Sequence, residues 1–392
     1  MMDPGQEFRL LCSCAAVDLS SERATRIAAD VGAGIDWSRF LHSAEHHGLL
    51  PLVARNLGDV AAVPPEIAHR LRAAFETNVR RNLWFASELS RIAALFEAKG
   101  LCVVSYKGPL LAEGAYGDVA LRTFGDLDFL VSPGNLAAAK SALAHLGYRP
   151  SEELSPAVER LWQRFGYELP FDGAAGRYLV ELQWGLTPYF YAVNLRADEL
   201  LHRSCAATIS NHPVRTLSPE DTLLVLCLHA AKHLWMRLIW VCDIAQTIRT
   251  QTIDCTSLLS RARSLGIMRI TLLSFWLAQR LLDAPIPSLA AEGVSRDTAI
   301  AALGEELAAR IARGATYDFE SPAYFRWIPR LREHRSDRWR YFWRLFWTPG
   351  VGDLAAVRLP EALFPLYRLV RVARLARRFL WPGLRSVSVK AS

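Results

Sequence analysis

The sequence predicts an α+β protein: a small α/β core between two helical regions. Three observations lead there. A long amphipathic stretch runs from Pro64 to Gly100, three short apolar runs follow between residues 101 and 184, and helix signals then continue from Ser218 almost to residue 380. At roughly 150 residues per domain, 392 residues suffice for two or three domains. The pattern divides them as 1–100, an N-terminal helical region; 101–216, the core; and 217–392, a C-terminal helical region with a basic aromatic tail.

Residues 22 to 57 read as helical. From Pro64 to Gly100 the spacing predicts one helix, with Pro65 and Glu66 at its start and Lys99-Gly100 as its stop. LCVVSY at 101–106 and DLDFLV at 126–131 read as buried strands. Ser132-Pro133 opens a helix that runs to Leu146, where Gly147 ends it. RYLVELQW at 177–184 is a third strand, entered through the turn-rich DGAAG at 172–176. Ser218-Pro219-Glu220-Asp221 then starts the C-terminal helices.

Composition narrows the function classes. With 51% hydrophobic and 22% charged residues, a disordered or fibrous chain is excluded. The most apolar stretch, Thr222 to Ile244, is interrupted by His229, Lys232, His233 and Arg237, so no bilayer-spanning segment is expected. Asp3 stands where a secretory signal carries basic residues, and the expected location is cytoplasmic. Seven scattered cysteines without CxxC spacing are expected to be thiols. The net charge of +7 is concentrated: residues 321–381 carry thirteen Arg against four acids, a local +9, interleaved with Trp, Tyr and Phe. Such a mixture suits a partner protein or an anionic membrane surface by peripheral association, and nucleic acid less; packing on a neighbouring domain is the alternative.

The chemistry concentrates in the second strand. Asp126 and Asp128, two residues apart, share a face with Cβ atoms about 7 Å apart. In a partly desolvated cleft that dianion calls for a cation, and hard oxygen donors favour Mg²⁺ or Mn²⁺. Glu181, on the face of Leu179 and Gln183, can bring a third acid from an adjacent strand, a set suited to metal-assisted phosphoryl transfer. Lys107 and Gly108, between the first strand and a helix, outline a phosphate cradle. Arg122 has the fork for a phosphate or for clamping one of the acids.

The string K-G-x-x-L-x-x-x-x-Y-x-x-x-x-x-R-x-x-x-D-x-D-x-L-V, Lys107 to Val131, resembles the signature of the uncharacterised nucleotidyltransferase family in the DNA polymerase β-like superfamily. His47-Gly48-Leu49-Leu50-Pro51-Leu52, Gly147-Tyr148, Val180-Glu181-Leu182-Gln183-Trp184, Leu217-Ser218-Pro219, His229-x-x-Lys232-His233, Trp240-x-x-Asp243 and Leu359-Pro360 to Tyr367 are similar to it too. The resemblance implies a small core with a mixed sheet. It implies Asp126, Asp128 and Glu181 as metal ligands and catalytic acids, with Lys107 and Gly108 against the phosphates of an NTP. Members of the family accompany natural-product and polysaccharide biosynthesis, which implies a peptide, saccharide or small-metabolite acceptor, with ATP the preferred donor. Two departures stand out: Pro109 removes an N–H where the wider superfamily has Ser or Gly, and Gln183 stands where relatives often carry His.

His229, Lys232 and His233 share one helix face, with Asp243 on the next helix. They can grip a nucleotide phosphate, Lys232 foremost, or an acidic acceptor, or they form a structural polar seam. His42-Ser43-Ala44-Glu45-His46 matches the HxxEH zinc pattern, but Gly48 ends that helix and no third ligand is in view. GxxxxGK, GxGxxG and GxSxG are absent, which removes P-loop, Rossmann and α/β-hydrolase readings. The runner-up is a catalytically idle nucleotide-binding scaffold that docks to a partner or a membrane surface through its tail.

Overall fold

Apolar residues at helical spacing between Ile67 and Phe96 fold as one helix, Pro65–Ala98, in a computed structural model that describes residues 5–173, 179–317 and 321–380. Pro65 at its first position and Gly100, with φ +65°, after its last turn supply the start and the stop. Ahead of it lie four shorter helices, Gln6–Cys14, Ser21–Gly32, Trp37–His46 and Leu50–Leu57.

The sheet has five strands: β1 Val103–Ser105, β2 Asp126–Val131, β3 Arg149–Pro150, β4 Glu168–Asp172 and β5 Leu179–Gln183. Their order is β1-β2-β5-β4-β3, with β2 and β5 parallel and every other pair antiparallel, so the sheet is mixed. A hairpin, β6 Cys205–Ile209 and β7 His212–Thr216, forms a separate two-stranded sheet that turns through Ser210 and Asn211, both at positive φ, and packs Ile209 and Val214 into the core under the main sheet. The sheet strands at 103–105 and 126–131 fall within the predicted runs, whereas β3, β4 and the hairpin have no counterpart in the sequence reading. The third strand begins at Leu179; Arg177, Tyr178 and residues 174–176 of the DGAAG turn lie outside the described residues, as do residues 1–4 and 381–392. The helix after Ser132 starts as a 3-10 turn, Pro133–Asn135, and Ser132 makes no side-chain cap.

Alternation along the strands splits the sheet into two unlike faces. Leu127, Phe129, Val131, Leu169, Phe171, Val180 and Leu182 pack against Phe85, Leu89, Ile92 and Phe96 of the long helix and against the Leu136–His145 helix. The opposite face carries Asp126, Asp128, Glu181, Gln183 and Glu168. Burial of about 1.5–3 kcal/mol per large apolar side chain fixes which face is which, because a one-residue register slip would bury the acids in that core.

A second, larger core joins both ends of the chain. Phe8, Phe40, Leu52 and Leu57 pack in one cluster with Leu223, Trp235, Leu273 and Tyr341. The pattern changes near residues 100 and 217 therefore fall where the regions share a core. His47 closes part of that junction: its ring accepts the Leu238 N–H at 3.1 Å, and its carbonyl accepts that of Ile239. Among the described residues no helix is long and apolar enough to cross a membrane, and all seven cysteines are unpaired thiols.

Candidate active site

The parallel register of β2 and β5 sets Asp128 directly beside Glu181. Asp126 lies one step back along β2 on the same face, and Glu168 enters from β4 opposite Gln183. Asp128 is buried, while Asp126, Glu181 and Glu168 are half-buried. Gln183 ties the face together: its amide nitrogen donates to Asp128 Oδ1 at 2.7 Å and to Glu181 Oε2 at 2.9 Å, and its oxygen accepts the Tyr106 hydroxyl. Gln183 thus stands as a fixed donor that orients two acids.

Lys107 projects into the same face from the end of β1. Its Nζ lies 3.5 Å from Asp128 Oδ1 and donates to His229 Nδ1 at 3.2 Å, which requires that nitrogen to be unprotonated. Gly108 follows at φ +52° and opens the Gly108–Tyr116 helix. A Cβ at this position would come within 3.2 Å of the Asp126 carbonyl oxygen, and Gly108 to Leu111 are buried. The close approach that glycine permits here is to strand β2, so the turn sets Lys107 beside Asp128; an open phosphate cradle at Gly108 was the expectation.

Arg122 is a correction. Expected at a phosphate or on one of the β2 acids, it is buried and forks onto Asp243, Nε to Oδ1 at 2.7 Å and Nη2 to Oδ2 at 2.9 Å. Asp243 also accepts the Tyr116 hydroxyl at 2.7 Å, so its carboxylate is fully engaged and unavailable to an acceptor or phosphate. The Tyr and the Arg of the Lys107–Val131 string thus converge on the Asp of Trp240-x-x-Asp243. The long helix completes this support: Asn78 and Asn82 donate to the carbonyls of Val119, Ala120 and Arg122, holding the segment that leads into β2. Neither asparagine was signalled by a motif, since each acts on backbone about forty residues away.

His229 and His233 do face this region. Their rings lie 4.6 Å apart and both contact the Trp240 ring, at 5.5 and 4.7 Å. Burial, with help from Lys107 and Lys232, holds both imidazoles far below their usual range, so they are neutral. Lys232 lies over the Tyr167 ring and donates to its hydroxyl at 3.4 Å. Beside these groups, past the ends of β4 and β5, opens a cleft of about 160 Å³ whose wall includes Arg164, Tyr167, Trp184, Thr187, Tyr189 and Leu228. It adjoins the acids without containing them.

The electrostatics are strongly biased. Burial, then Glu168, Asp128 and Asp126, push Glu181 up to about 9. Burial and Asp128 push Asp126 up to about 6, against the pull of Lys107 and Arg122. Lys107 is raised because its acidic neighbours, Asp128 first, outweigh the burial that works to lower it. Burial and mutual repulsion thus make this face hold protons in place of its full negative charge. Among the described residues no three His, Cys, Asp or Glu side chains are gathered closely enough to grip a metal ion, the HxxEH stretch included. The donors nonetheless suit a hard divalent cation: all are carboxylate oxygens, they repel one another, and Asp128 Oδ2 is buried without a partner.

No curated protein matches the chain. A family model described as uncharacterised nucleotidyltransferase matches residues 33–283, which takes in the long helix, the whole sheet and the helices that carry His229 and Asp243. The likeness read at Leu359 to Tyr367 lies beyond the matched part. With more than half of its length matched, and with the Lys107–Val131 string folded as one side of an acidic sheet face, the chain belongs to this uncharacterised nucleotidyltransferase family.

Proposed function

We propose that the protein is a Mg²⁺-dependent nucleotidyltransferase that moves a nucleoside monophosphate from an NTP, ATP by preference, to a hydroxyl or phosphate of an acceptor, releasing pyrophosphate. Membership of the family supports nucleotidyl transfer in general. The observation that carries the finer reading is the Asp128–Glu181 register with Asp126 alongside and Lys107 at 3.5 Å. Asp126, Asp128 and Glu181 would hold Mg²⁺ or Mn²⁺, which would neutralise the reacting phosphate and acidify the acceptor hydroxyl. Lys107, once Asp128 has another counter-charge, can turn to the phosphates as a point charge, with Lys232 the second cation in reach. Glu181, on the strand beside Asp128, would complete the metal's oxygen set and help orient the acceptor hydroxyl. The neutral His229 and His233 offer hydrogen bonds without adding charge. The adjoining cleft, with Trp184, Tyr167 and Arg164 on its wall, suits a peptide, saccharide or small-metabolite acceptor of a biosynthetic pathway.

Pyrophosphate release from ATP and Mg²⁺ in the presence of candidate acceptors tests this. Asp128→Asn should lower it by about 100-fold or more. One observation favours a second reading. Lys107 and Gln183 already occupy Asp128, and the acids are not drawn into a nest. In that reading the protein is a catalytically idle nucleotide-binding scaffold, and it predicts Mg²⁺-ATP binding with no pyrophosphate from any acceptor.

A further inference from the structure

The helix Arg335–Trp347 has two apolar sides, and only one is covered. Asp337, Tyr341 and Leu345 face inward, with Tyr341 packed against Tyr191 and Phe190. Outward stand Trp339, Phe342, Trp343, Phe346 and Trp347, with Trp339 75% and Trp343 67% exposed. At about 100° per residue these five side chains form one continuous stripe about 140° wide. Arg335 falls within it, Arg338 borders one edge, and Arg340 and Arg344 border the other. Single exposed apolar residues are ordinary, but five large aromatics side by side on one helix are not.

The charge around the stripe says what it meets. Residues 321–381 carry thirteen Arg and four acids. Every one of those acids is already engaged: Asp337 with Arg332 and Arg340, Asp353 with Arg371 and Arg374, Glu361 with Arg160, and Glu333 with the backbone N–H groups of Met268 and Arg269. The exposed Arg335, Arg358, Arg368 and Arg377 therefore present positive charge with no acid of this segment to offset it. A second copy of the chain would bring like charges together. An anionic lipid surface answers both features, because Trp and Phe settle at the boundary between headgroups and acyl chains while Arg reaches the phosphates.

We propose that the outward face of the Arg335–Trp347 helix docks the protein, lying flat, on an anionic phospholipid bilayer. The helix is tied to the cleft described above: Arg344 donates to the Tyr189 carbonyl at 3.3 Å and lies over the Tyr189 ring, which forms part of the cleft wall. Docking would hold that cleft beside the lipid surface. The proposal is independent of the nucleotidyltransfer chemistry.

The test uses the intact protein and vesicles of phosphatidylcholine with or without phosphatidylglycerol. Co-sedimentation with the anionic vesicles alone is expected, with a blue shift of tryptophan emission and loss of binding as salt is raised. Trp339→Ala with Trp343→Ala, and separately Arg335→Glu, should each lower partitioning about tenfold while leaving circular dichroism and pyrophosphate release unchanged. The proposal is overturned by no binding to anionic vesicles at low salt, or by equal binding to neutral ones. Binding that survives both variants overturns it too. So does a wild-type dimer that both variants convert to monomer without lipid binding, or retention of RNA or an acidic protein through the same residues in place of lipid.

Discussion

Glu168 and Gly108 show what single residues contribute to the site. Glu168 is the largest charge contribution to the raised proton affinity of Glu181. Glu168→Gln should move the titration of Glu181 to lower pH, read by carboxyl NMR of the metal-free protein; an unmoved titration would separate the two acids. Glu168 was not legible in the sequence, because its strand, ELPFD, is interrupted by Pro170 and resembles a loop. Gly108 was legible as a special position, but its reason was not. Its positive φ and the nearby Asp126 carbonyl predict that Gly108→Ala costs about 1–2 kcal/mol, measured by urea unfolding, with a matching loss of the Lys107 placement.

At the scale of elements, the Gly108–Tyr116 helix, the approach to β2 and the Leu238–Thr250 helix are joined through Asp243. Removing one partner leaves a buried charge uncompensated. Asp243→Asn should therefore destabilise the fold by about 3–5 kcal/mol in urea unfolding, and Arg122→Leu with Asp243→Leu should cost less than the sum of the two single changes. Activity per folded molecule should fall far less than in Asp128→Asn. The strands within 103–105 and 126–131 could be read from the chain because they are apolar runs bounded by turn residues. The pairing of Arg122 with Asp243 could not, since no periodicity links residues so far apart in sequence. The β6–β7 hairpin was hidden for a local reason: its short strands are largely exposed and its turn uses Ser210-Asn211 in place of a glycine pair.

Across the whole molecule, the acidic face makes stability depend on pH and on cations. Asp126 and Glu181 hold protons in the folded state at pH values where the unfolded chain has released them. Stability from these two groups is thus greatest below their ordinary range near pH 4 and is lost as pH rises through about 6 and about 9. On the function proposed above, Mg²⁺ would replace those protons as the compensating charge, so the rise in Tm on adding Mg²⁺ should be larger at pH 8.5 than at pH 5.5, by calorimetry. An equal rise at both would mean that the cation binds elsewhere.

On the function proposed above, this face transfers the α-phosphoryl portion of a nucleotide. The most direct measurement follows ATP labelled at the α- or the γ-phosphorus, with Mg²⁺ and candidate acceptors, in the wild-type chain and in Asp128→Asn. Nucleotidyl transfer puts α-label in the acceptor and γ-label in pyrophosphate, and both should be lost in the variant. γ-label in the acceptor, or α-label transfer that persists without Asp128, would contradict it.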